Sequence, residues 1–117
     1  MKKTTWIVLS ISAMSFTQIT YAQKAKISSA QISLQDGKVM DAKKEIDAAL
    51  QDPDVQKRVD AWTTKGDVYK DIYETKIYYA LNPTCLFEAK DAYMKASDLE
   101  TNPKKQKNFT MPLTNIE

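Results

Sequence analysis

The chain has 117 residues, with 17 Lys and Arg against 15 Asp and Glu, one cysteine and no histidine. Without histidine there is no usual general base, no usual zinc ligand and no Ser/His or Cys/His nucleophile pair, so the composition argues against an enzyme, and a lone Cys85 excludes an internal disulfide. A chain of this length suffices for one small domain that buries proportionately little of its surface.

Lys2 and Lys3 precede an apolar run, Trp6 to Phe16, diluted only by Ser10, Ser12 and Ser15. The run is too short to span a bilayer comfortably. Thr20 and Ala22 then place small residues at the two positions a signal peptidase reads. Residues 1–22 therefore read as a cleavable signal peptide, with Gln23 first in the mature chain; an uncleaved signal anchor and a buried N-terminal helix are the alternatives. No cysteine directly follows the apolar run, which argues against a lipid anchor. Cleavage removes Lys2 and Lys3, and the remaining basic residues then equal the 15 acidic ones. The expected mature chain is neutral, its charges interspersed and not gathered into a basic stripe, so neither nucleic acid nor a stable membrane span is expected of it.

Beyond the leader, apolar residues recur three or four apart with little alternation of period two, and the expected fold is all-α. The first segment, residues 24–35, carries Ile27, Ala30 and Leu34 on one face, and Asp36-Gly37 supplies a C-terminal stop. A second helix, residues 39–51, presents Val39, Ala42, Ile46, Ala49 and Leu50, and the short link makes the two antiparallel. Asp52-Pro53 reads as N-cap plus first helical position of a longer helix whose stripe is Val55, Val59, Trp62, Gly66, Tyr69 and Tyr73, extending toward Ile77. Asn82-Pro83 repeats the device and opens a fourth helix, residues 84–100, with Leu86, Ala89, Ala92, Tyr93, Ala96 and Leu99 inward, which Asn102-Pro103 ends. Residues 104–117 contain Pro112 and show no sustained period, which reads as a loose tail or the start of a further repeat.

Two helical hairpins in series suggest a repeat in the thirties of residues. Trp62, Gly66 and Tyr69, then Ala89, Tyr93 and Ala96, then Pro103, resemble the tetratricopeptide repeat in residue type and spacing. A weaker unit precedes it: Ala30 stands for the glycine, and Ala42, Ile46, Ala49 and Pro53 follow in register, while Lys26 and Ser33 hold the Trp and Tyr positions. Steric sense underlies the pattern, since small residues let two helices approach and the large rings fill the volume beside them. The second unit departs from the family: Gly66 and Ala89 are 23 positions apart where about 12 are usual, an insertion around residues 74–84 carrying Ile77, Tyr78, Tyr79 and Leu81. That segment either lengthens the helix, caps the hairpin or makes an exposed apolar contact. With its leader, the chain resembles exported tetratricopeptide proteins of the Bacteroidetes, which implies the periplasm, surface or medium of a Gram-negative bacterium. Two units, residues 23–53 and 54–103, are fewer than the three or so a solenoid needs. This implies either the N-terminal part of a longer array or a small protein that closes its open end by dimerising.

The resemblance implies a groove lined by Gln31 and Gln35 of the first unit and by Thr63, Asp67, Lys70 and Asp71 of the second. This lining is polar and lacks the basic set with which some family members clamp a peptide carboxylate. It implies a non-enzymatic module holding a protein or peptide partner, with no cofactor; the rivals are a self-assembling structural module and a signal-anchored helical protein. Ala42, Ile46, Ala49, Trp62, Gly66, Tyr69, Ala89, Tyr93 and Ala96 are the expected repeat core. Asp67 and Asp71 lie four apart on one helix face, but such pairs are ordinary on solvated helices and Lys70 lies between them. Asp36, Asp52 and Asp54 lack the spacing of a calcium loop and read as caps and turns, so no metal site is expected. Cys85 reads as a small buried apolar residue or an intermolecular handle.

Overall fold

The computed structural model describes residues 24–114, which are helical throughout and contain no strand among them. The proposed signal peptide lies outside the described residues. The first helix, α1 (residues 24–35), stops where Gly37 takes φ +76. The amide of Lys38 donates to the Ser33 carbonyl at 2.8 Å and that of Gly37 to Leu34 at 3.1 Å, the paired bonds that satisfy the last carbonyls of a glycine-terminated helix. α2 (Val39–Ala49) follows at once and buries Val39, Ala42, Ile46 and Ala49. Ser33 and Glu45 meet across the turn at 3.4 Å.

The next helix starts later than its sequence suggests. Asp52 Oδ1 accepts the Asp54 amide at 2.9 Å, as a cap would, but the bond closes a turn and not a helix. Val55–Lys57 form one turn of 3-10 helix, Arg58 is extended, and α3 runs over Val59–Glu74. Two side-chain bonds favour the break: Gln56 Nε2 donates to the Leu50 carbonyl at 2.8 Å, and Trp62 Nε1 donates to the Gln56 carbonyl at 2.7 Å. A continuous helix would place the Gln56 carbonyl in its own ladder. Val55 is still buried, so the apolar stripe is kept while the backbone changes form.

The insertion does not lengthen α3. Thr75 is extended, and Lys76–Tyr79 form a separate short helix, α4. Tyr78 packs partly against the core, whereas Tyr79 and Leu81 face solvent together with Tyr73 and Phe87. Tyr73 and Tyr79 meet edge to face, ring centroids 5.7 Å apart. The side chain of Ile77 lies outside the described residues. α5 (Cys85–Leu99) buries Cys85, Ala89, Ala92, Tyr93 and Ala96, close to expectation, although Leu99 is partly exposed. Burial pushes the Cys85 thiol above its ordinary pKa.

Residues Pro103–Thr114 form a helix, α6, where a loose tail was one of two expectations. Asn102 Oδ1 accepts the Lys104 amide at 3.0 Å and Pro103 occupies the first turn, so the pair read as a terminator is also an initiator. Gln106 Nε2 donates to the Glu100 carbonyl at 2.7 Å and ties the new helix to the end of α5.

α3 is central, packing against α2 and α5, while α6 packs against α5. α1 enters the same apolar core through Ile27 and Ala30 and bonds α3 through Gln31. α3 and α5 approach closely. At Gly66 a methyl group would lie 2.6 Å from a ring carbon of Tyr93, so the ring rests directly on the α3 backbone.

Candidate functional site

Alternate helices converge on one groove of about 890 Å³. From α1 come Gln31, Leu34 and Gln35; from α3 come Val59, Asp60, Thr63, Thr64 and Asp67. The far wall is Lys105, Asn108 and Phe109 of α6, and Tyr93 and Glu100 join from α5 and its C-terminal end. A recess of about 290 Å³ adjoins it, sharing Leu34 and Asp67 and adding Lys70, Asp71 and Glu74. Of the six groove candidates, the structure thus brings Gln31, Gln35, Thr63 and Asp67 together and sets Lys70 and Asp71 in the adjoining recess.

Asp60 and Thr64 carry a spacing signal that sequence reasoning passed over, since they stand two turns and one turn, respectively, before Asp67 on the same face. Lys105, Asn108 and Phe109 were hidden by the reading of their segment as a tail. Phe109 is only 8% exposed although it lines the groove, so α6 is seated and not merely adjacent.

Hydrogen bonding orients the polar lining. Thr64, buried at 2% exposure, donates to the Asp60 carbonyl at 2.7 Å and accepts from Gln31 Nε2 at 3.0 Å. Thr63 donates to the Val59 carbonyl at 2.9 Å. Arg58 grips both oxygens of Asp60, at 2.9 and 2.6 Å, and holds its carboxyl below the usual range. Tyr93 donates to Asp67 Oδ1 at 2.5 Å. Asp67 keeps a face open to solvent, yet the apolar surroundings of its carboxyl raise its pKa, and the Tyr93 bond opposes that rise. Burial, reinforced by the acceptor carboxylate, pushes the Tyr93 hydroxyl far above its ordinary pKa, so it acts as a fixed donor.

All nine expected core residues are buried: Ala42, Ile46, Ala49, Trp62, Gly66, Tyr69, Ala89, Tyr93 and Ala96. Tyr69 mirrors Tyr93. Its hydroxyl donates to Asp47 at 2.8 Å, across the α2–α3 contact, and Asp47 also accepts from Lys43 at 3.0 Å. Trp62 lies between two ammonium groups, Lys95 at 4.4 Å and Lys65 at 5.6 Å from its ring centroid. Tyr93 is both core and groove lining, because its ring is buried while its hydroxyl edge reaches Asp67.

Among the described residues, no three His, Cys, Asp or Glu side chains gather as metal ligands, and no helix is long and apolar enough to cross a membrane. Comparison of the chain with protein-family models, with curated proteins and with solved structures gives no match.

Proposed function

We propose that this chain is a non-enzymatic, exported binding and scaffolding module, built of tetratricopeptide-like helical hairpins, that holds a segment of another protein in the groove between α1, α3 and α6. The observation that carries this reading is the alternation. The first, third and sixth helices supply most of the groove lining, whereas α2 supplies none of it and α5 only Tyr93, and in the chain α2 separates α1 from α3 and α5 precedes α6. Repeated helix pairs place one helix of each pair on a shared concave face. On this reading α6 stands where the first helix of a third unit belongs, and Gly66, Ala89 and Ala96 are the small residues that let α3 and α5 approach. The threonine hydroxyls and the tyrosine hydroxyl at the groove are engaged in structural bonds, an arrangement suited to a rigid binding surface and not to proton transfer.

The test is site-specific photo-crosslinking in the exporting cell, with a crosslinking side chain at Gln35, at Thr63, or at Lys44 on α2 outside the groove. Adducts with another protein are expected from Gln35 and Thr63 and not from Lys44. Adducts equal at all three positions, or absent from the groove positions, would contradict the reading.

One observation favours self-assembly as a second reading. Leu81 and Phe87 are 71% and 72% exposed and Tyr79 is 43% exposed, large apolar side chains in and just after the insertion. Light scattering of the purified protein separates the two: a concentration-independent monomer removes the second reading and leaves the first intact.

A further inference from the structure

We infer that the groove selects a cationic segment, an extended peptide of a partner protein that presents arginine or lysine side chains toward Asp67 and Glu100. The inference rests on the binding function proposed above and specifies its ligand.

Most hydrogen-bond donors of the groove are already engaged within the protein. Gln31 Nε2, the Thr63 and Thr64 hydroxyls and the Tyr93 hydroxyl all donate within the protein, at 2.5 to 3.0 Å. Donors remain in the Gln35 and Asn108 side-chain amides and the Lys105 ammonium, but carboxylate acceptors are also left over. Asp67 uses one carboxylate oxygen for Tyr93, and Glu100 uses one for the Asn102 amide at 3.1 Å, so each retains a second oxygen for an incoming donor. The carbonyl of the Gln31 side chain is likewise free of a protein donor, since the bond it makes is through nitrogen.

Charge points the same way. The groove and its adjoining recess hold Asp60, Asp67, Asp71, Glu74 and Glu100 against Lys70 and Lys105, in a chain whose formal net charge is +2. Three of these seven charges are countered locally or from outside: Lys70 and Glu74 pair with each other at 3.8 Å, and Arg58 neutralises Asp60. What persists is the two carboxylates Asp67 and Glu100, with Asp71 beside the first, opposed by Lys105 on α6 and, at Asp67, by the neighbouring Lys70. Leu34, Val59 and Phe109 supply the apolar wall along which the methylene stem of a long cationic side chain packs while its head reaches the carboxylates. A guanidinium, with five donors in a fixed fork and no acceptor, is the side chain best matched to a surface that offers acceptors.

Three fluorescent peptides of alternating alanine with arginine, glutamine or glutamate, blocked at both ends, are titrated into the purified protein by fluorescence polarisation. The variants are Asp67→Asn, Glu100→Gln and, as a control outside the groove, Asp41→Asn; circular dichroism verifies that each is folded. The arginine peptide is expected to bind tightest, to weaken about tenfold in Asp67→Asn and in Glu100→Gln, to weaken with added salt and to be unchanged in Asp41→Asn. Equal affinity for the arginine, glutamine and glutamate peptides overturns the charge preference while leaving a groove that binds peptides. Failure of all three peptides to bind also overturns it, and the crosslinking at Gln35 and Thr63 then decides separately whether the groove binds a partner at all.

Discussion

Replacing Gly66 by valine is expected to lower stability by about 3 kcal/mol, the upper part of the range for overpacking a filled core. A Cβ at this position lies 2.6, 2.7 and 2.8 Å from Cε1, Cδ1 and Cζ of Tyr93. Tyr93 cannot swing aside easily, because it is 1% exposed and its hydroxyl is held by Asp67, the residue next to Gly66 in α3. Alanine gives the more discriminating sign. In an open helix, glycine to alanine stabilises by about 1 kcal/mol; here a net loss of about 1–2 kcal/mol is expected, because the clash outweighs the gain in propensity. Urea denaturation followed by circular dichroism measures both variants. In a Tyr93→Leu background the penalty at position 66 is expected to shrink, which a double-mutant cycle reads directly. A Gly66→Ala variant more stable than the parent would mean that α3 and α5 do not approach as described.

Trp62→Ala is expected to cost about 3–5 kcal/mol, the range for removing a large buried aromatic side chain. The ring is 9% exposed and does three things at once. It fills volume in the core, its Nε1 holds the Gln56 carbonyl that shapes the turn before α3, and its face receives the Lys95 ammonium at 4.4 Å. Trp62→Phe keeps most of the volume and loses the indole donor, so about 1–2 kcal/mol is expected. For a domain with a total stability of about 5–15 kcal/mol, the alanine variant approaches its unfolding midpoint in much milder urea. A loss below about 1 kcal/mol for Trp62→Ala would contradict the packing given to this side chain.

The parts of this fold legible in the sequence are those governed by local chemistry. α1 stops where a glycine can take positive φ, and α5 lies where small residues alternate with Tyr93 and Leu86 at helical spacing. The three pairs Asp52-Pro53, Asn82-Pro83 and Asn102-Pro103 show where local reading ends. Each offers a side-chain acceptor followed by a proline, yet the first opens a turn and a 3-10 segment, the second a turn before Cys85, and the third a helix at once. Contacts distant in sequence distinguish them. Trp62 and Gln56 lock the first into a bent link, whereas Gln106 and Phe109 anchor the third as α6 against α5 and the groove.

The same division holds at the groove. Gln31, Gln35, Thr63 and Asp67 are the groove positions that the resemblance to the repeat implies, and they lie on α1 and α3. The wall supplied by α6 was not legible, because Pro112 and the polar run from Lys104 to Asn108 obscure the period. The insertion was legible as an interruption but not as a structure. Whether its apolar residues turn inward or outward depends on where Thr75 breaks α3, and the outcome is divided between Tyr78 and the exposed Tyr79 and Leu81.

Peptide binding in the groove is read residue by residue in an NMR titration of the isotope-labelled protein with the alternating arginine peptide, following every assigned backbone amide. Shift changes are expected to saturate together and to concentrate at Gln31, Gln35, Thr63, Thr64, Asp67 and Asn108, as a cationic peptide seated in the groove requires. Changes centred on Tyr79, Leu81 and Phe87, or the lack of any saturable change, would contradict that seating.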